Sequence, residues 1–152
     1  MDQNRGSFRR KQLLLAYDND KGLCGMVVPR MKEMLEQRAF DVELLDLDGA
    51  AVEIDPEDYD GLVIGSPALG IGWKGAGPSP KVRTFIDGIE DLDELKVALF
   101  CVYQAMPGRT LDNMSALVQE RGGELVVQKA YWAMNPQDDE HVLPAECMVR
   151  IR

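Results

Sequence analysis

The residues best placed to do chemistry are Asp18, Asn19, Asp20, Lys21, Gly22, Leu23 and Cys24, which stand between an apolar run and a helical pattern. The run, Lys11–Tyr17, reads as a strand, and a strand that empties through a Gly-containing turn into a helix makes a potential anion site. Backbone N–H groups at a helix N-terminus are unpaired and carry partial positive charge, so they favour a phosphate. Asp18 and Asp20 oppose it, because a carboxylate beside a phosphate repels it. Whether this loop holds a phosphate is the central functional question of the sequence.

Other candidate chemistry is sparse. The single histidine, His141, leaves no nucleophile, base and orienter set for hydrolysis, and it reads as a surface residue. The three cysteines, Cys24, Cys101 and Cys147, form no Cys-x-x-Cys pair and have no metal-ligand spacing, which points to a reducing, cytoplasmic setting and no metal. Cys101 falls inside a buried strand and should be inert, whereas a Cys24 at a helix N-terminus would have its pKa lowered. With 17 Lys and Arg against 26 Asp and Glu, the net charge of −9 leaves no basic stripe for nucleic acid. An acidic surface suits docking on basic partner proteins, or it simply confers solubility.

The elements that must position these residues follow from periodicity. The 152 residues fit one domain, expected over 11–152 behind a polar, flexible leader at 1–10, and no stretch approaches the ~18 apolar residues of a membrane span. Val27, Val28, Met31, Leu35 and Arg38 recur at helical spacing after the first loop, and Met26, Met31 and Met34 read as core or helix surface. Strands are expected over 41–47 and 60–66, with a short helical turn at Pro56 between them. Residues 68–80 form a Gly- and Pro-rich loop, and a long loop in a small domain is usually functional.

Beyond it, Val82, Phe85, Ile86, Ile89 and Leu92 mark a helix that Pro80 can start, and 96–102 is the most apolar strand. Residues 103–109 form another loop. Leu111, Met114, Leu117 and Val118 mark a helix that the Thr110 hydroxyl could cap and that Gly122 and Gly123 would end. Residues 124–129 supply a fifth strand, and Leu143, Cys147 and Ile151 give a weak final helical signal that leaves a complete fifth helix open. Strand and helix in alternation give an α/β fold with a parallel sheet, right-handed crossovers and helices on both faces. Ligands of such sheets bind beyond the carboxyl ends of the strands, here the loops after the first, third and fourth.

Those loops carry a resemblance. The alternation, Tyr17 to Gly25 after the first strand, the run from Asp58 to Pro67, and the run from Pro78 to Asp87 with its Phe85-Ile86-Asp87 together resemble the flavodoxin family over roughly residues 11 to 135. The resemblance implies a three-layer sandwich with a five-stranded sheet of order 2-1-3-4-5, and FMN as cofactor. It places the phosphate on Asn19 to Cys24 beside Asp18. It places the flavin ring between Ser66, Pro67, Ala68, Leu69, Gly70 and Trp73 on one side and Tyr103, Gln104, Ala105, Met106 and Gly108 on the other. Trp73 and Tyr103 would stack on the ring, and Leu69 and Met106 would give it apolar contact.

The first loop departs from the family pattern, which reads like Ser/Thr-x-Thr-Gly-x-Thr. Asn19, Lys21 and Cys24 occupy the hydroxyl positions, and only Gly22 matches. Asn19 can donate a hydrogen bond and Lys21 brings a charge, but Cys24 is a poor donor. A carboxylate such as Asp20 at about 6 Å would cost roughly 0.7–3 kcal/mol, up to about a hundredfold in affinity. The resemblance therefore implies a low-potential, one-electron FMN carrier meeting basic redox partners as a monomer or weak dimer. The alternatives are a flavodoxin-like interaction or regulatory module without FMN, or an FMN-dependent NAD(P)H:quinone-type reductase.

Overall fold

Alternating side chains on five strands build two cores, one on each side of a single parallel sheet. The computed structural model describes residues 10–48, 53–68, 77–137, 140 and 142–151. The strands are β1 (Lys11–Tyr17), β2 (Phe40–Asp46), β3 (Gly61–Pro67), β4 (Lys96–Tyr103) and β5 (Glu124–Trp132), in the order β2-β1-β3-β4-β5. Every neighbouring pair is parallel. On β1, Leu13 and Leu15 face one way and Leu14 and Ala16 the other, and all four are buried, as expected of a strand covered on both faces.

The helices α1 (Val28–Gln37) and α4 (Val142–Arg150) cover the face of Leu13, Leu15, Val63 and Phe100. The helices α2 (Pro80–Asp87) and α3 (Thr110–Glu120) cover the face of Leu14, Leu62, Ile64 and Leu99. The chain runs from β1 outward to β2 and then returns to the far side of β1 for β3. This reversal of strand order puts a crevice at the carboxyl ends of β1 and β3, where α/β sheets bind ligands. Among the described residues, no helix is long and apolar enough to cross a membrane.

Several elements differ from their expected bounds. β2 begins at Phe40, not residue 41, because Phe40 pairs with Lys11, and as an edge strand it is only half covered, with Asp41, Glu43 and Leu44 exposed. β3 begins at Gly61, since the Asp60 N–H donates to the Gln12 carbonyl (2.7 Å) and the Asp60 carboxylate accepts from the Gln12 N–H (2.7 Å). β5 runs three residues past Lys129, with a register shift opposite Val97 and Ala98. α2 stops at Asp87, and Ile89 and Leu92 are buried from the segment that follows it.

Thr110 is the first residue of α3 and not its cap. Arg109 takes the cap position without a side-chain bond, and the Thr110 hydroxyl is buried with no hydrogen-bond partner among the described residues. α4 completes the sandwich: Pro144 sits in its first turn, where a missing N–H removes no helical bond, and Leu143, Cys147 and Ile151 are buried. Of the residues assigned to the leader, Arg10 is tied to the sheet edge, donating to the Asp41 carboxylate (2.8 Å) and the carbonyls of Glu36 (2.8 Å) and Phe40 (2.7 Å).

Candidate functional site

The loop after β1 folds into two short 3₁₀ turns, Asp20–Gly22 and Cys24–Met26, before α1 begins at Val28. The helix therefore starts further from the strand than the sequence pattern implies. Lys21 and Gly22 both adopt left-handed backbone angles, φ 59° and 70°, which turn the chain sharply back. Asp18 is buried, and its carboxylate accepts from the Asp20 N–H at 3.0 Å. The Asn19 side-chain oxygen accepts from the Gly25 N–H at 2.6 Å, lying so close over Gly25 that an added Cβ there would meet it at 2.8 Å. Within the loop, the N–H of Gly22 donates to the Asn19 carbonyl (2.8 Å), that of Met26 to Leu23 (3.1 Å) and that of Val27 to Cys24 (3.0 Å).

Cys24 does not stand at the N-terminus of α1, so the lowered pKa that such a position would give does not arise. Its side chain lies in the core with Leu13, Leu23 and Val27, and burial pushes the thiol up, with the charges of Asp18 and Asp46 adding to that shift. The surroundings of the loop are negative. Lys81, on the first turn of α2, is held protonated above its usual range first by its hydrogen bond to Asp48, then by the charges of Asp48, Asp18 and Asp20. Its charge is thus already balanced by carboxylates.

The carboxyl ends of β1, β3 and β4 lie together at the same edge. The Asp18 N–H donates to the Gly65 carbonyl (3.2 Å), and the Ala68 N–H donates to the Val102 carbonyl (3.0 Å). Ser66 is buried, with its hydroxyl donating to the Pro67 carbonyl (2.8 Å) and accepting from the Ser79 N–H (2.9 Å). It therefore ties the end of β3 to the start of α2. Ser79 in turn caps α2, accepting from the Val82 N–H at 3.3 Å. Gly65 has a different role, because a Cβ there would lie 2.0 Å from the Phe100 ring.

Pro67 is buried and Ala68 half-buried, whereas Leu69, Gly70, Trp73 and His141 lie outside the described residues. On the other side, Tyr103 is half-buried, and Gln104, Ala105, Met106 and Gly108 are exposed, with Gly108 at φ 56°. Sequence reading missed Trp132. It pairs in register with Tyr103, donates its indole N–H to the Gln104 carbonyl (3.3 Å), and remains 47 % exposed, and Met106 and Met134 are exposed as well. Ala130, Tyr131 and Trp132 prolong a strand-favouring pattern, which was the available signal.

The two ends of the site therefore differ in what they fit. The β4–β5 rim offers exposed aromatic and thioether surface of the kind a flat ring packs against. The loop after β1 is poor in phosphate ligands. It holds no hydroxyl side chain between residues 18 and 25, two of its N–H groups are taken by its own side-chain oxygens, and Cys24 points into the core.

No family model matches the chain, and no curated protein matches it. Solved structures do. Oxidised flavodoxin 1 from Bacillus cereus superposes with a TM-score of 0.74 at 20% identity, covering 91% of this chain and 97% of that one. A flavodoxin from Pseudomonas aeruginosa gives 0.71 at 14% identity, with the same coverages of 91% and 97%. A Fusobacterium nucleatum flavodoxin bound to flavin mononucleotide gives 0.67 at 12% identity, covering 93% and 96%. At these identities what is shared is architecture, and this chain has the flavodoxin-like fold.

Proposed function

We propose that the chain is a small flavin-binding electron carrier of the cytoplasm, with FMN among the flavins it takes, that passes single electrons to partner proteins with basic docking surfaces. The observation that carries this reading is the meeting of the carboxyl ends of β1, β3 and β4 at the reversal of strand order, with Met106 and Trp132 exposed in the segments that follow β4 and end β5. The redox chemistry would be the flavin's own; the protein would supply stacking surface, backbone hydrogen bonding and electrostatics. The net charge of −9 opposes placing further negative charge on a ring at this edge, which favours a low potential. It also steers the protein toward basic partners and makes docking sensitive to salt. The three buried free thiols accord with a reducing compartment.

A titration of the purified chain with FMN, followed by quenching of flavin fluorescence, tests the reading. Saturable, stoichiometric quenching supports it, and unquenched flavin at micromolar protein contradicts it. A second reading, a flavin-free interaction module on the same fold, is favoured by one observation: Asp18 and Asn19 already occupy N–H groups of the first loop. That reading requires that no flavin binds.

A further inference from the structure

We infer that the loop after β1 is closed to phosphate, so that this chain holds a flavin by its ring and binds riboflavin about as tightly as FMN. The inference rests on the flavin-binding reading above and deepens it. A phosphate monoester at neutral pH carries nearly two negative charges, and a protein holds it with free N–H donors, hydroxyls and cations.

The free donors are reduced: of the N–H groups of residues 19 to 25, those of Asp20, Gly22, Leu23 and Gly25 already have acceptors within the loop, leaving those of Asn19, Lys21 and Cys24. The carboxylate of Asp18 takes the Asp20 N–H and the side-chain oxygen of Asn19 takes the Gly25 N–H, so the chain's own oxygens sit at both ends of the loop. Freeing the first would leave a buried carboxylate without its partner, and freeing the second would break a 2.6 Å bond. The helix beyond gives no help. α1 starts only at Val28, and Pro29 in its first turn lacks an N–H. No hydroxyl replaces what is lost, since residues 18 to 25 read Asp-Asn-Asp-Lys-Gly-Leu-Cys-Gly and both Leu23 and Cys24 are buried.

Charge opposes the anion as well. Within the loop, Asp18 and Asp20 outnumber Lys21, and the nearby Lys81 is paired with Asp48. Asn19 and Gly25 form a matched pair, because only a residue without a Cβ lets the Asn19 amide approach this closely. The closure is thus written into two positions together.

The test compares FMN and riboflavin by fluorescence quenching in a phosphate-free buffer, with the wild-type chain and an Asn19→Ser/Asp20→Thr/Lys21→Thr variant. The expected result is wild-type dissociation constants within about threefold of each other. The expected effect of the variant is to tighten FMN by about tenfold or more while leaving riboflavin unchanged. A wild type that prefers FMN by about tenfold or more overturns the inference and leaves the carrier reading intact. A wild type that binds neither flavin overturns the carrier reading, and a second measurement then decides the loop. Inorganic phosphate is titrated into ¹⁵N-labelled wild-type protein while the amide resonances of residues 19 to 25 are followed. Unmoved resonances uphold the closed loop, and saturable shifts overturn it.

Discussion

Single side chains at the sheet edge decide both stability and chemistry. The Phe100 ring crosses Gly65 at a distance that leaves no room for a methyl group, and Phe100 also meets Tyr131 edge to face, with ring centroids 6.1 Å apart. Gly65→Ala must push this ring pair aside and should destabilise the fold by about 1–3 kcal/mol. A lowered urea midpoint checks it; an unchanged midpoint would show that the ring moves freely. The thiols give a second prediction. Burial raises Cys101 and Cys147 to about 12 and Cys24 further still, so none supplies a thiolate at neutral pH. A thiol-specific chromophoric reagent should find no reactive sulfur in the native chain and all three after denaturation. Rapid labelling of one thiol in the folded protein would contradict this. Cys24 also shows what sequence conveys at this scale. Its position in the loop was legible, but its direction was set by core packing around Leu13 and Val27, which no local pattern records.

At the scale of elements, the sequence announced the five strands and α1 to α3, left α4 open, and misjudged where several of them begin or stop. The central strands are legible because both of their faces are buried, whereas β2 shifts by one residue because its register is fixed by β1. Ile89 and Leu92 keep a helical spacing with Val82 and Phe85 because they pack on the same core, although the backbone has already left the helix. Burial pattern and backbone path are different signals there. One tertiary link between elements is open to a pH test. Tyr59, just before β3, donates to Glu43 of β2 at 3.1 Å. Burial first, and then this carboxylate, push its pKa up to about 12 from the ordinary 10.0. The folded state therefore holds the phenolic proton more tightly than the unfolded chain. The stability this gives is fully present below pH 10 and is lost as pH rises through 12. Tyr59→Phe should be less sensitive than the wild type to a rise from pH 9.5 to about 11.5, as read by thermal midpoints. Parallel losses in the two proteins would show that Tyr59 does not carry this limb.

For the whole molecule, the excess of carboxylates is the dominant physical fact. Like charges repel across a compact chain of net charge −9, and salt screens that repulsion as the Debye length falls from about 30 Å at 0.01 M to about 8 Å at 0.15 M. For each 1 kcal/mol of repulsion relieved, the thermal midpoint should rise by about 2–4 °C. A midpoint that is flat or falls with salt would mean that favourable ion pairs, such as Arg30–Glu33 and Lys32–Glu36, outweigh the net charge. Fold class was legible at this scale from alternation alone, and the strand order came with the family resemblance. The closure of the first loop was only half visible. The missing hydroxyls stand in the sequence, but the capture of the Gly25 N–H by Asn19 depends on a turn geometry set by two left-handed residues.

The acidic half-covered strand at the margin of the sheet has a further consequence. Among the described residues no strand pairs with the outer side of β2, the kind of edge along which a second chain can add itself and extend a sheet. It carries Asp41, Glu43 and Asp46 along its length, with Tyr59 and Arg10 drawn over it from neighbouring segments. A second copy approaching edge to edge would bring carboxylates against carboxylates, so the charge along β2 guards this margin against unlimited self-assembly.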